Sequence, residues 1–130
     1  MSENKEKRSK IKRTSELQVY KDTLTLTLKL YTITSEFSAS AKHRLGDDIC
    51  REVVKLFDYI QLANKYPEPE VRSKYLQGFI FRFERLKVRL RIAFELKEIS
   101  LKKYAKLVTI TENIMHQINA WRSYTLNKTM

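Results

Sequence analysis

Turn-forming residues are scarce in this chain, which has two glycines and two prolines among 130 residues. A β-sandwich or barrel needs a turn roughly every 8–12 residues, and glycine and proline are the strongest signals for such turns. The shortage therefore argues against those folds and predicts few, long elements. The length leaves room for one domain around a single hydrophobic core.

Cysteine occurs once, as Cys50, so the chain cannot form an internal disulfide or a cysteine-rich metal site. A lone thiol is typical of proteins in a reducing compartment, and we expect a cytoplasmic location. The basic start is not followed by the apolar stretch of a secretory signal, and no uncharged apolar run reaches about 18 residues. Neither secretion nor a membrane partner is predicted.

Residues for covalent or acid–base catalysis are also few. His43 and His116 are the only histidines. His43 and Cys50 would stand about 10 Å apart along a helix axis, too far for a Cys–His pair. Asp47 and Asp48 would point about 100° apart, so they do not converge as a carboxylate pair or metal site. The sequence predicts no enzymatic activity, no metal and no cofactor.

Positive charge is abundant, with 26 lysines and arginines against 15 acidic residues and a net charge of +11. Residues 1–13 contribute +4 of that charge and are predicted to form a disordered basic tail before a domain at 14–130. The domain therefore remains basic without its tail. A basic folded domain indicates a polyanionic partner, and nucleic acid is the leading candidate.

Four helices are predicted from apolar residues that recur at steps of three and four. The second, over residues 40–65, has a core stripe of Leu45, Ile49, Val53, Leu56, Ile60 and Ala63. Pro67 and Pro69 then interrupt the pattern, because proline lacks a backbone donor and disfavours helical dihedrals before it. The third, over residues 70–97, has a core stripe of Tyr75, Phe79, Phe83, Leu86, Leu90 and Phe94.

The fourth helix is expected to begin after Ser100, whose hydroxyl suits an N-cap. Its core stripe is Leu107, Ile114, Ile118 and Trp121. The segment 14–36 is ambiguous, since four leucines alternate with polar residues as in a strand: Leu24, Leu26, Leu28 and Leu30. A lone strand would have no pairing partner, and a helical stripe also fits: Leu17, Tyr20, Leu24, Leu28 and Tyr31. We therefore predict an all-α, antiparallel up-down-up-down four-helix bundle.

The third helix carries much of the charge, with eight basic and two acidic residues between positions 71 and 97. One flank of its core stripe carries Arg82, Arg85 and Arg89, and the other carries Lys87 and Arg91. The three arginines rise about one turn apart, a spacing that suits successive phosphates. The alternative is that these long side chains only extend into solvent. Because Glu84 and Glu95 cannot neutralise them all, we predict nucleic-acid or partner binding.

A separate apolar stripe lies on the outward side of the third helix, at Phe81, Val88 and Ile92. Exposed apolar stripes more often mark a contact between subunits than a ligand site, and symmetric homo-oligomers are the commonest solution. We therefore predict that these three residues form an oligomer interface.

The region from Phe37 to Ile49 resembles a family sequence in which a phenylalanine, a proline and basic residues precede Leu-Gly-Asp. The stretch Leu86 to Ala93, with Leu96, Ile99, Ser100 and Tyr104 after it, resembles the basic third helix of that family and its following turn. Trp121 stands where the family's fourth helix ends in tryptophan. Over residues 17–124 the chain thus resembles the accessory variability determinants of diversity-generating retroelements. These are similar to the four-helix proteins encoded in 23S rRNA intervening sequences.

The resemblance implies a basic homopentameric ring with no active site. Such a ring would bind a retroelement reverse transcriptase and its template RNA, or a cDNA–RNA hybrid, and support mutagenic reverse transcription. By position, the family's basic residues fall on Lys42, Lys87 and Arg91, and Gly46 is the expected close-packing point.

The sequence also departs from the family pattern. Ser38 replaces the usual proline, Ala39 a basic residue, Lys87 an arginine, and Asn119 with Ala120 a pair of glycines. The alternatives are an intervening-sequence protein or a structural bundle that binds RNA. Residues 62–65 do not match the Asn-Ile-Ala-Glu-Gly stretch of the intervening-sequence proteins, which favours the retroelement accessory role.

Overall fold

A computed structural model describes residues 13–127 of the protein. The regular elements within this range are all helical. Its four long helices are α1 (Gln18–Ser35), α2 (Asp47–Lys65), α3 (Pro69–Glu95) and α4 (Leu101–Asn127). The helical prediction for the ambiguous first segment is therefore confirmed. The predicted tail lies outside the described residues, apart from Arg13.

The helices pack as a bundle in which α1 and α3 each contact both α2 and α4. All four contribute to one core, whose largest fully buried side chains include Leu26, Leu30, Ile49, Leu56, Ile60, Leu76, Phe79, Phe83, Leu86, Leu107, Ile114 and Ile118. The rings of Phe79 and Phe83 stack with their centroids 5.4 Å apart at the centre of α3. Truncating either ring to alanine would cost about 3–5 kcal/mol.

The predicted second helix begins in a more irregular way than its pattern indicated. A single α-helical turn, Ala39–Ala41, continues into a π-helical segment, Lys42–Gly46, which leads directly into α2. The Asp47 backbone N–H donates to the Lys42 carbonyl, one residue further back than in an α-helix. Beyond this segment the predicted stripe is buried throughout, from Ile49 to Ala63.

The predicted starts of α3 and α4 are close to the observed ones. Pro69 occupies the first turn of α3, where the missing donor costs no hydrogen bond. The Ser100 hydroxyl accepts a hydrogen bond of 3.2 Å from the Lys103 backbone N–H, so the predicted N-cap is confirmed. In the core of α3, Leu76 and Ala93 are buried, whereas the predicted end positions Tyr75 and Phe94 are only half-buried.

The predicted core face of α1 is wrong for three of its five residues, since only Leu17 and Tyr20 pack against the core. Leu24, Leu28 and Tyr31 are at least 42% exposed. The buried residues of the helix are Val19, Thr23, Leu26, Thr27, Leu30 and Thr34. Threonine can be buried here because its hydroxyl donates to the preceding turn, as Thr23 does to the Val19 carbonyl at 2.7 Å. The stripe prediction failed because it treated threonine as a surface residue.

Two glycines lie at contacts between elements, and they differ in how closely they are approached. A Cβ at Gly46 would lie 3.4 Å from Thr34 Cβ and 3.5 Å from Phe37 Cδ2, which is ordinary van der Waals contact. A Cβ at Gly78 would lie only 2.5 Å from Tyr59 Cε1. The tight approach is thus between α3 and α2 at Gly78, not at Gly46 as the resemblance implied.

Replacing Gly78 with alanine is expected to lower the free energy of unfolding by about 1 kcal/mol. Overpacking typically costs about 1–3 kcal/mol. That cost exceeds the roughly 1 kcal/mol that alanine gains over glycine inside a helix. Gly46→Ala is the matched control and should be neutral or slightly stabilising. Urea unfolding followed by circular dichroism measures both, and a more stable Gly78→Ala protein would contradict the contact.

Candidate nucleic-acid and partner interface

The two basic flanks of α3 face different neighbouring helices. Arg82 and Arg89 reach α2, where they form ion pairs with Glu52 and Asp48. On the other flank, Lys87 lines a groove with Tyr104 and Leu107 of α4. The charge of Glu95 is the main reason that the pKa of the Arg91 guanidinium is raised, and Tyr104 of α4 adds a smaller effect. The predicted basic residues of α3 therefore belong to two surfaces.

Arg89 is held at two of its nitrogens. Its Nε donates to Asp48 Oδ2, and its Nη1 donates to the Arg85 carbonyl at 3.1 Å. Asp48 is also 4.0 Å from the Arg51 guanidinium. The Asp48 side chain remains 32% exposed, so this pair lies at the edge of the α2–α3 contact.

Arg82 contacts a more deeply buried acid in the same α2–α3 contact. Its Nε donates to the Tyr59 hydroxyl at 3.4 Å, and its Nη1 lies 3.6 Å from Glu52 Oε2. The Glu52 side chain is only 5% exposed, and its Oε2 has no hydrogen bond. The Tyr59 hydrogen bond is the main reason that the pKa of Arg82 is raised, with Glu52 adding a smaller effect. A carboxylate buried in this way depends on its cation.

Four of the five flank residues have an acidic partner, although Glu84 and Glu95 alone could not neutralise them all. The pairs are Arg82 with Glu52, Arg89 with Asp48, Lys87 with Glu84, and Arg91 with Glu95. Two of these acids come from α2, which a count of charges within one helix could not include. The two pairs within α3 are largely exposed, and exposed pairs of this kind contribute little to stability.

Arg85 differs from the arginines on either side of it. It is exposed, and among residues 13–127 it forms no ion pair with an acidic side chain. Its guanidinium carbon lies 5.8 Å from the centroid of the Phe81 ring. In the single chain, Arg85 is therefore the predicted flank residue whose charge is most available to a ligand.

Lys42 is exposed at the start of the π-helical segment that precedes α2. Next to it, Arg44 lines a shallow groove with Ile92 and Leu96 of the α3 end. Arg44 was not among the predicted site residues, although its position two residues after Lys42 pointed to the same region. Lys42 and Arg44 therefore add positive charge in the segment that precedes α2.

The outward stripe of α3 is exposed as predicted. Phe81, Val88 and Ile92 are all at least 44% exposed, and Leu96 lengthens the stripe by one turn. A second exposed apolar stripe lies on α1 and consists of Leu24, Leu28 and Tyr31. Exposed apolar stripes therefore lie on both α1 and α3.

Ser38 stands where the family that the chain resembles has proline, and it forms two hydrogen bonds with Glu98. Its backbone N–H donates to Glu98 Oε2 at 3.1 Å, and its hydroxyl donates to Glu98 Oε1. Both hydrogen bonds lower the pKa of the Glu98 carboxyl, the hydroxyl having the larger effect. Proline has no N–H to donate. This link between the start of the second helical region and the α3–α4 turn therefore requires a residue other than proline.

The candidate catalytic residues have other partners. Cys50 Sγ lies 3.3 Å from the Thr34 hydroxyl, and His43 Nδ1 lies 3.8 Å from Asp47 Oδ2. Within residues 13–127 no three histidine, cysteine or acidic side chains are grouped as a metal site would require. In the same range, no helix is both long and apolar enough to cross a membrane.

Comparison with known proteins does not identify a relative. No family model matches the chain, no curated protein is detectably similar in sequence, and no solved structure is detectably similar in fold. The support for a function therefore comes from the surfaces described above and from the sequence resemblance.

Proposed function

We propose that this protein is a non-catalytic, cytoplasmic accessory protein that binds RNA and a retroelement reverse transcriptase, and so supports mutagenic reverse transcription. The observation that carries the RNA-binding role is that Arg85, on the most basic helix of the bundle, is exposed and has no acidic partner among the residues that the structure describes. An unpaired arginine on a basic surface suits phosphate, because its planar donors match phosphate oxygens. The reverse-transcriptase role is supported by the resemblance over residues 17–124.

We infer that the four helices run up, down, up and down, each antiparallel to its neighbours. Contacts across helix pairs support this order, because residue numbers rise in one helix as they fall in the other. Across α2 and α3 the pairs are Asp48 with Arg89, Glu52 with Arg82, and Ala63 with Arg72. Across α1 and α4 they are Asp22 with Gln117 and Glu36 with Lys103. In this arrangement α1 and α3 occupy opposite corners of the bundle.

The two exposed apolar stripes support self-association. A contact between two α3 helices would bring two strongly basic surfaces together, which like-charge repulsion disfavours. The α1 helix is nearly neutral, with Lys21 and Lys29 against Asp22. We therefore propose that the α3 stripe of one copy packs on the α1 stripe of the next. Such a head-to-tail contact closes into a ring when the rotation allows it, and the resemblance implies five copies.

Lys87 and Arg91, with Lys42, are the proposed docking site for reverse transcriptase. Replacing both Lys87 and Arg91 with alanine should weaken docking by about 30-fold or more, since a lost charge pair at a desolvated contact costs about 2–5 kcal/mol. The matched control is Lys55→Ala with Lys102→Ala, which removes the same charge from exposed positions on α2 and α4.

The measurement is biolayer interferometry with a reverse transcriptase of a diversity-generating retroelement. Unchanged affinity in the Lys87 and Arg91 variant would contradict the docking site. RNA binding by a parent protein that does not bind the enzyme would instead favour the alternative, a structural or intervening-sequence bundle that binds RNA.

A further inference from the structure

Arg82 and Arg89 are each committed to internal partners through Nε and Nη1. For Arg89 these partners are Asp48 and the Arg85 carbonyl, and for Arg82 they are Tyr59 and Glu52. A bidentate arginine–phosphate contact uses two N–H donors in parallel. Each pair of neighbouring donors on these two guanidiniums includes Nε or Nη1. A phosphate that binds such a pair therefore has to compete with the internal partners.

We propose that Asp48 and Glu52 act as internal counter-anions that restrain Arg89 and Arg82, and so set how many phosphates the arginine edge of α3 neutralises. The proposal rests on the RNA binding proposed above. With both carboxylates charged, Arg85 makes the complete phosphate contact. Arg89 and Arg82 contribute only to the extent that RNA displaces Asp48 and Glu52 from them.

The two restraints differ in strength because the two carboxylates differ in burial. Asp48 is 32% exposed, so water can solvate it when a phosphate takes Arg89. Glu52 is 5% exposed, so losing Arg82 would leave a charge in the bundle interior with no counter-ion. An uncompensated buried charge is strongly destabilising. The expected order of phosphate engagement is therefore Arg85, then Arg89, then Arg82.

The substitutions Asp48→Asn and Glu52→Gln test this order, because each removes a negative charge and keeps the size of the side chain. The control is Asp58→Asn, which makes the same charge change at an exposed position of α2 away from the arginine edge. Binding of a fluorescent single-stranded RNA of mixed sequence is measured across a series of salt concentrations. Circular dichroism establishes that each variant is folded.

Asp48→Asn is expected to steepen the slope of log affinity against log salt by up to about 0.7. That corresponds to about fourfold tighter binding at ~0.15 M salt. Glu52→Gln should act in the same direction if it folds, and Asp48→Asn is sufficient for the test if it does not. Asp58→Asn should leave the slope unchanged.

The outcomes separate the two proposals. If the parent binds RNA and Asp48→Asn behaves like Asp58→Asn, the counter-anion proposal is overturned and RNA binding stands. If neither the parent nor any variant binds RNA at low salt, both proposals are overturned. If Asp48→Asn or Glu52→Gln binds RNA and the parent does not, the proposal that these carboxylates restrain the arginines is supported.

Discussion

Replacing Val88 with aspartate is expected to convert the assembled protein into folded monomers. Val88 lies between Phe81 and Ile92 on the outward stripe and is 57% exposed. The substitution therefore leaves the bundle core intact. In an assembly the new carboxylate would enter an apolar contact without a partner, and burying such a charge is very costly.

Light scattering coupled to size-exclusion chromatography at micromolar concentration measures this effect. Thr109→Asp, at an exposed position of α4, is the control and should leave the assembly unchanged. Leu28→Asp should dissociate the assembly as Val88→Asp does, because the proposed contact joins the α3 stripe to the α1 stripe of the next copy. A monomeric parent would contradict self-association. Dissociation by Val88→Asp alone would indicate a contact between two α3 helices.

Replacing Arg85 with alanine is expected to weaken RNA binding more than replacing either arginine beside it. Loss of one neutralised phosphate should make the salt slope shallower by about 0.7 and lower affinity about fourfold at ~0.15 M salt. Arg85→Glu adds repulsion and should reduce affinity more than about tenfold. Lys21→Ala, at an exposed position of α1, is the control for general loss of charge.

Arg82→Ala should give the opposite pattern, with little change in the salt slope and a large loss of stability. It leaves Glu52 buried without a cation, and removing one partner of a buried pair costs about 3–5 kcal/mol. RNA titrations at several salt concentrations and urea unfolding of the same proteins distinguish the two roles. Equal salt slopes for Arg82→Ala and Arg85→Ala would contradict the proposal that Arg85 binds phosphate while Arg82 mainly stabilises the fold.

The sequence was sufficient to predict α2, α3 and α4, because each has large apolar side chains at helical spacing. Phe79, Phe83 and Ile114 have few structural alternatives to a core position. The face of α1 was not predictable in the same way, since threonine and leucine alternate around that helix. Buried Thr23 and exposed Thr25 both donate their hydroxyls to the preceding turn, so this hydrogen bond permits burial but does not decide which face of the helix packs on the core.

The sequence predicted where the basic residues lie on α3 but not which of them form ion pairs. Helical spacing placed Arg82, Arg85 and Arg89 on one flank of α3, and the structure keeps Arg82 and Arg89 against α2. Their acidic partners, Asp48 and Glu52, are separated from them by dozens of residues in sequence. Pairing at such a separation depends on the relative rotation and register of two helices, and spacing within a single helix contains neither.

The threonines on the buried face of α1 have a consequence for how the bundle opens. Thr23 and Thr27 each donate to a carbonyl of their own helix and bury less apolar surface than leucine would, so α1 gains relatively little free energy from its contact with the core. Segments with few buried apolar contacts undergo local unfolding at lower free energy than the rest of a domain. The α1 backbone amides should therefore become accessible to solvent through a partial opening in which α2 and α3 remain joined.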